Sequence, residues 1–184
     1  MLRSKFFYTL ATCMAGIVAI SNFLVQFPVN YLGLENILTY AAFTYPITFL
    51  ITDLANRKYG KLIARRVVYF VFFIGIILTL YFSTNFEDLI SIRIAIGSGT
   101  AFLVAQLLDV RVFDLLRKKM WFIAPLSSSL LGSLIDTFLF FSISFYNTDV
   151  PWITLAMGDF IVKVLISLIT VSYTHLTLPT ICSV

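Results

Sequence analysis

Six apolar stretches, each close to the length that crosses a bilayer, divide this chain of 184 residues and leave it few folds to choose from. A membrane helix needs about 20 mainly apolar residues, because the hydrocarbon core is about 30 Å thick and a helix rises about 1.5 Å per residue. The stretches are roughly 6–27, 36–52, 66–84, 90–108, 121–145 and 151–170. None alternates strictly over ten-residue blocks, which argues against a β-barrel. The chain is 60% hydrophobic and 12% charged, with a mean hydropathy of +0.97. A soluble domain carries about 25% charge and could not bury so much apolar surface at this length. The expected fold class is all-α integral membrane, a bundle of six transmembrane helices.

Orientation follows from Lys and Arg in short loops. Arg3 and Lys5 precede the first stretch, Arg57, Lys58, Lys61, Arg65 and Arg66 follow the second, and Arg111, Arg117, Lys118 and Lys119 follow the fourth. The alternate loops hold Glu35, then Glu87 and Asp88, then Asp149, with no Lys or Arg. Both termini are therefore expected on the cytoplasmic side of the cytoplasmic (inner) membrane, with Trp121 and Trp152 at opposite interfaces. The net charge of +4 comes from residues at helix ends, so it is a topology signal and no sign of nucleic acid. The start MLRSKFF leads into a run too long for a signal-peptide core and reads as the first membrane helix. Cys13 and Cys182 suggest neither a disulfide framework nor a metal site, and no cofactor is expected. No G-x-x-x-x-G-K-[ST] loop is present, so nothing suggests ATP hydrolysis by this chain.

The end, VSYTHLTLPTICSV, does not match what precedes it. VSYTHLTLPT is the translation of GTC TCT TAT ACA CAT CTG ACG CTG CCG ACG, which resembles the transposon-end adapter of sequencing libraries. The expected domain is thus 1–170, with 171–184 a read-through, the last helix cut short, and His175 without functional weight.

Charged and amide side chains inside apolar helices are costly and mark function by default. Asp136 sits in GSLIDTFLFF (132–141), about ten residues from the outer end of the fifth stretch. Asp159 lies about eight residues from the outer end of the sixth, at similar depth, and Lys163 is one turn away at i+4. Asn22 and Gln26 lie in the outer half of the first stretch, and Arg93 enters the fourth from outside. These residues, with Gln106, are the candidate substrate-binding set. Thr52, Asp53, Asn56 and Asp109 form a second set at the inner ends. Bland readings exist for each: a neutralised Asp159–Lys163 pair, a snorkelling Arg93, interfacial Asp53 and Asp109, a protonated Asp136 bonded to Ser133. Ala11, Ala15 and Ala19 form a small-residue stripe, as do Ala95 with Gly99 and Gly97 with Ala101.

Five blocks in order carry a resemblance: SNFLVQFPVNYLG (21–33), FTYPITFLITDLANRKYGKLIARR (43–66), AQLLDVRVFDLLR (105–117), APLSSSLLGSLIDTFLFFSISF (124–145) and KVLIS (163–167). Together they resemble the queuosine precursor transporter family, also called the vitamin uptake transporter family. Arg57 or Lys58, and Ser133, depart from its commoner residues. The resemblance implies import of 7-cyano-7-deazaguanine or 7-aminomethyl-7-deazaguanine across the cytoplasmic membrane, with no enzymatic activity. A carboxylate can accept both adjacent donors of a deazaguanine edge in one bidentate pair. That gives Asp136 or Asp159 a role at the base edge, with Asn22, Gln26 or Gln106 for the ring carbonyl. Phe138, Phe140, Phe141 and Tyr45 are candidate stacking surfaces, as for an extruded base. Asp53 and Asp109 would belong to a cytoplasmic gate. Expected partners are this small molecule and the lipid bilayer, with room for a homo-oligomer or a coupling subunit.

Two rivals use the same residues. A substrate-binding subunit of an energy-coupling-factor vitamin transporter would dock its partner through Ala11, Ala15 and Ala19. An intramembrane aspartyl protease would use Asp136 and Asp159, but AMGD is only half of the G-x-G-D pattern and no Tyr precedes Asp136.

Overall fold

The computed structural model describes residues 2–31, 33–82, 86, 88–118 and 122–177, with side chains from 7 to 171. The expectations placed on Glu87, Lys119, Trp121 and Cys182, and on the side chains of Arg3, Lys5 and His175, lie outside the described residues.

Seven helices follow one another: α1 (Leu2–Leu24), α2 (Ala41–Thr44), α3 (Pro46–Tyr59), α4 (Lys61–Phe82), α5 (Leu89–Leu116), α6 (Ile123–Phe145) and α7 (Trp152–Thr177). Among the described residues, α1, α4, α5, α6 and α7 are each long and apolar enough to cross a membrane. Their outward faces carry Phe73, Ile77, Ile96, Leu134, Phe138, Ile161 and Leu165, all exposed, as lipid-facing positions should be. The chain is a multi-pass helical membrane protein.

The remaining expected crossing differs from its sequence boundaries. Instead of 36–52, the chain forms the single turn α2 and then α3, joined through Tyr45, whose backbone is helical (φ −61°, ψ −37°). Pro46 has no N–H to continue the α2 ladder but suits the first helical position, so the break falls there. Nothing stops α3 until Gly60, whose φ of +82° ends it. The 19 residues 41–59 rise about 28 Å, enough to span. The consequence is that Thr52, Asp53 and Asn56 lie inside a helix packed in the bundle, not at its exit.

The larger core lies where α1, α3, α4 and α5 meet, around Met14, Phe49, Val68, Val71, Phe102 and Ala105. A smaller apolar cluster, Val25, Ala41, Ile94, Phe141, Phe145 and Leu155, closes the other end. The α5–α6 seam is tight: a Cβ on Gly97 would stand 2.5 Å from the Ser144 hydroxyl and 3.3 Å from the Phe140 carbonyl. The start of α4 meets the end of α5 through Lys61 and Arg117, 3.1 and 3.4 Å from Asp114. Glu35 and Asp88 line one cavity at the opposite end of these antiparallel helices, so the acidic and basic loops do separate. Asp88 also caps α5, accepting from the Ile90 and Ser91 amides.

Candidate functional site

A short connection makes α6 and α7 antiparallel neighbours, which brings Asp136 and Asp159 to one level. Lys163 stands between them. Its Nζ lies 2.8 Å from Asp136 Oδ2 and 2.6 Å from Asp159 Oδ2. Its third donor position goes to Thr137 Oγ1 at 3.1 Å. Thr137 donates in turn to Asp159 Oδ2 at 2.8 Å. From the helix break, the Tyr45 hydroxyl donates to Asp136 Oδ1 at 3.0 Å, and its ring centroid lies 4.9 Å from Lys163 Nζ. Asp136, Lys163 and Asp159 are only 2%, 3% and 5% exposed, so each must be satisfied by its neighbours and not by bulk water.

Counted as ionised groups, two carboxylates and one ammonium leave one negative charge uncompensated. Asp136 has both oxygens engaged and Lys163 has all its donors engaged. Asp159 Oδ1 accepts no hydrogen bond among the described residues. Asp159 lines, with Asp136, Lys163, Tyr45, Asn22, Phe140 and Phe141, a cavity of about 20 Å³. Such a volume holds one water-sized body. Asn22 is held there by donating to Thr79 Oγ1 at 2.8 Å and accepting from Ser98 Oγ at 2.6 Å.

A second cavity, of about 340 Å³, opens beyond it, lined by Gln26, Glu35, Thr39, Asp88 and Val150 among others. Its size is that of a small-molecule pocket. Between the two stands the smaller apolar cluster. Val25 and Phe141 face the inner cavity, and Val25, Ile94, Phe145 and Leu155 face the outer one.

The other expected residues scatter. Gln26 is exposed and belongs to the outer cavity. Arg93 donates to the carbonyls of Ile143 (3.0 Å) and Tyr146 (2.8 Å), closing the C-terminal end of α6. Phe138 faces outward at 63% exposure, while Phe140 and Phe141 line the inner cavity. Gln106 is fully buried against α3, accepting from Thr52 Oγ1 at 2.5 Å and donating to Thr48 Oγ1 at 3.1 Å. Asn56 donates to the Val110 carbonyl at 3.0 Å. Asp53 accepts from Ser128 and Ser129, each at 3.2 Å, and lies beside Asp109. Ser133 is not bonded to Asp136; its hydroxyl has no partner.

Thr137, Thr48, Ser98, Ser128 and Ser129 were not legible as site residues. Their one signal is hydroxyls on α3, α5 and α6 stretches that are otherwise apolar, and hydroxyls are common in any membrane helix.

Of the stripe on which the coupling-subunit rival rests, Ala11 and Ala15 are buried in the core that α1 shares with α4, and Ala19 is half-buried. An aspartyl protease needs its two carboxylates close enough to share one proton, and here the Lys163 ammonium stands between them.

The family model described as "Putative vitamin uptake transporter" matches residues 39–177. A Haemophilus influenzae protein named "Probable queuosine precursor transporter" is 38% identical over 182 aligned positions, covering 83% of this chain and 77% of that protein. The Escherichia coli "Queuosine precursor transporter" is 34% identical over 186 positions, covering 91% and 83%. A Bacillus subtilis "Probable queuosine precursor transporter" is 29% identical over 157 positions, covering 71% and 67%. No solved structure matches the chain.

Proposed function

This chain belongs to the vitamin uptake transporter family, a family of transporters and not of enzymes, and from that premise we propose that it imports a queuosine precursor, 7-cyano-7-deazaguanine or 7-aminomethyl-7-deazaguanine, across the cytoplasmic membrane. The observation that carries this reading is the buried Asp136–Lys163–Asp159 cluster, which lines a cavity and holds one uncompensated charge and, among the described residues, one unengaged carboxylate oxygen.

A deazaguanine edge presents two adjacent N–H donors. Asp159 Oδ1 can accept one directly, and the second reaches a carboxylate oxygen when Tyr45 or Thr137 releases its hydrogen bond. Charge-assisted bonds of this kind are the strong ones, and stronger still away from water. The aminomethyl form brings its own positive charge to the residual negative one. Asn22 has an amide proton beyond the one given to Thr79 for a ring carbonyl. Phe140, Phe141 and Tyr45 supply flat surfaces for stacking.

The inner cavity is too small for a bicyclic base. Entry therefore requires the apolar cluster of Val25, Ala41, Ile94, Phe141, Phe145 and Leu155 to part, admitting the base from the outer cavity. Such a barrier opens at modest cost, because its contacts are dispersion and carry no directional bonds.

The test is uptake in cells that lack both queuosine precursor synthesis and their own importer. Queuosine in tRNA after feeding 7-cyano-7-deazaguanine is expected to recover with this protein and to be lost with Asp159→Ala or Asp136→Ala that still reach the membrane. Recovery undiminished by both variants would discard this site.

A further inference from the structure

About 12 Å further along α3 from Tyr45, by helical rise over eight residues, Asp53 meets Asp109 of α5. The two clusters are joined by α3 and α6 and differ in one respect. The Asp136 cluster contains its own cation. The Asp53 cluster contains none: among the described residues, neither Asp53 nor Asp109 forms an ion pair, although four other ion pairs do.

Asp109 is fully buried, and both its oxygens lack a hydrogen-bond partner. The buried Asn56 Oδ1 lacks one too. Asp53, 7% exposed, has only the two neutral donors Ser128 and Ser129. The pocket is thus rich in acceptors and short of positive charge and of protons. Two adjacent carboxylates away from water cannot both stay ionised at low cost.

The surroundings offer no remedy. From α6 come Ser128 and Ser129, and Gly132, where a Cβ would meet the Phe49 ring at 2.7 Å and Asp109 Cβ at 3.4 Å. From α5 the neighbouring turn presents Gln106, already held by Thr48 and Thr52. From α7, Ser167 and Thr170 line the groove over Asp53. Besides Asp53, the one charged residue on that groove is Arg57, which is exposed at its rim.

We propose that Asp53 and Asp109 form the cation-coupling site of this transporter, binding one proton that they share and that moves inward with each molecule of base. With the proton bound, the pair is a single negative charge and a donor, and α3, α5 and α6 pack together as seen. When the proton leaves to the cytoplasm, two like charges face one another in apolar surroundings and push the inner ends of α3 and α5 apart. That opens the groove lined by Asp53, Arg57 and Ser129. The Tyr45–Thr48–Thr52 side of α3, tied to Asp136 above and Gln106 beside it, links this movement to the base site. The inference rests on the transport reading for its cargo and on the carboxylate geometry for its site.

The experiment uses the full chain in proteoliposomes with radiolabelled 7-cyano-7-deazaguanine. An inwardly directed gradient of one pH unit is expected to drive about a tenfold accumulation of a neutral base moved with one proton, and a sodium gradient none. Asp109→Asn, a permanent mimic of the protonated pair, is expected to stay closed at the inner groove, so it keeps binding of the radiolabelled base and loses the pH-driven accumulation; Asp53→Asn is expected to do the same. Accumulation driven by sodium, or pH-driven accumulation undiminished in both variants, overturns the proposal. Infrared difference titration of the protein without substrate gives a reading independent of cargo. A protonated-carboxyl band present near neutral pH in the unmodified protein and lost in Asp109→Asn supports the shared proton; its persistence in both variants overturns it. If the protein exchanges no base at all, the substrate reading fails while the infrared band still decides the proton.

Discussion

Lys163 Nζ lies 2.8 Å from Asp136 Oδ2, a contact between α7 and α6 across 27 residues of sequence. It makes two apolar membrane-length helices depend on an ion pair. It also explains why a lone aspartate is tolerated on α6: its counterion is supplied by the next helix.

Removing that counterion is expected to be severe. Lys163→Met leaves two buried carboxylates facing each other, and breaking a buried pair costs about 3–5 kcal/mol. The expected result is a large loss of thermal stability in detergent. Adding Asp136→Asn to the same protein is expected to restore part of it, because the coupled groups do not act additively. A double variant as unstable as the sum of the two single changes would contradict the cluster.

Tyr45→Phe removes one hydrogen bond to Asp136 and keeps the ring. A hydrogen bond to a charged group contributes about 1.5–3 kcal/mol, so thermal stability should fall by a smaller step than for Lys163→Met. Because the freed Asp136 oxygen becomes available to a ligand, the affinity for 7-cyano-7-deazaguanine should change as well. Equilibrium binding to the purified protein checks both directions.

Arg93→Met is expected to behave as a stability variant only. Arg93 donates to the carbonyls of Ile143 and Tyr146 and not to the inner cavity. Losing a helix-end partner costs about 1 kcal/mol, and base affinity should stay at the unmodified level in the same binding assay. A selective loss of affinity at unchanged stability would return Arg93 to the substrate site.

Gly158 tests how the loop between α1 and α2 is held. A Cβ there would collide with the backbone of Ile37, 2.9 Å from its carbonyl carbon, where the loop between α1 and α2 leans on α7 beside Asp159. The Thr154 hydroxyl donates to the Asn36 carbonyl at 2.8 Å one turn away. Gly158→Ala must therefore shift backbone, and reduced stability with faster protease cleavage at the loop is expected. Gly99→Ala is the control. Its Cβ would meet side chains alone, Ile76 at 3.4 Å and the Phe72 ring edge at 3.6 Å, and these can yield.

The sequence by itself determined the class, the membrane crossings and the separation of acidic from basic loops. Apolar length and Lys/Arg placement act locally along the chain and need no knowledge of neighbours. It also singled out Asp136, Asp159 and Lys163, because a charge within hydrocarbon is visible wherever it packs. The second crossing forms over 41–59 and not 36–52, since the C-terminal half of α3 is too polar to read as a membrane helix. Thr48, Thr52, Asp53 and Asn56 tolerate burial there only because α5 and α6 bring partners from 54 to 76 positions away.

Only the tertiary structure decided which charge meets which. The i,i+4 spacing joined Lys163 to Asp159, but nothing in one dimension joins it to Asp136 or aims Tyr45 at the same carboxylate. Nor could spacing show that Arg93 and Gln26 lie away from this cluster, or that Asp109 meets Asp53 with no counterion among the described residues. Helical periodicity fixes the face a residue shares with its own helix. The partner across the interface is set by the rotation and depth at which helices pack, and those are properties of the whole bundle.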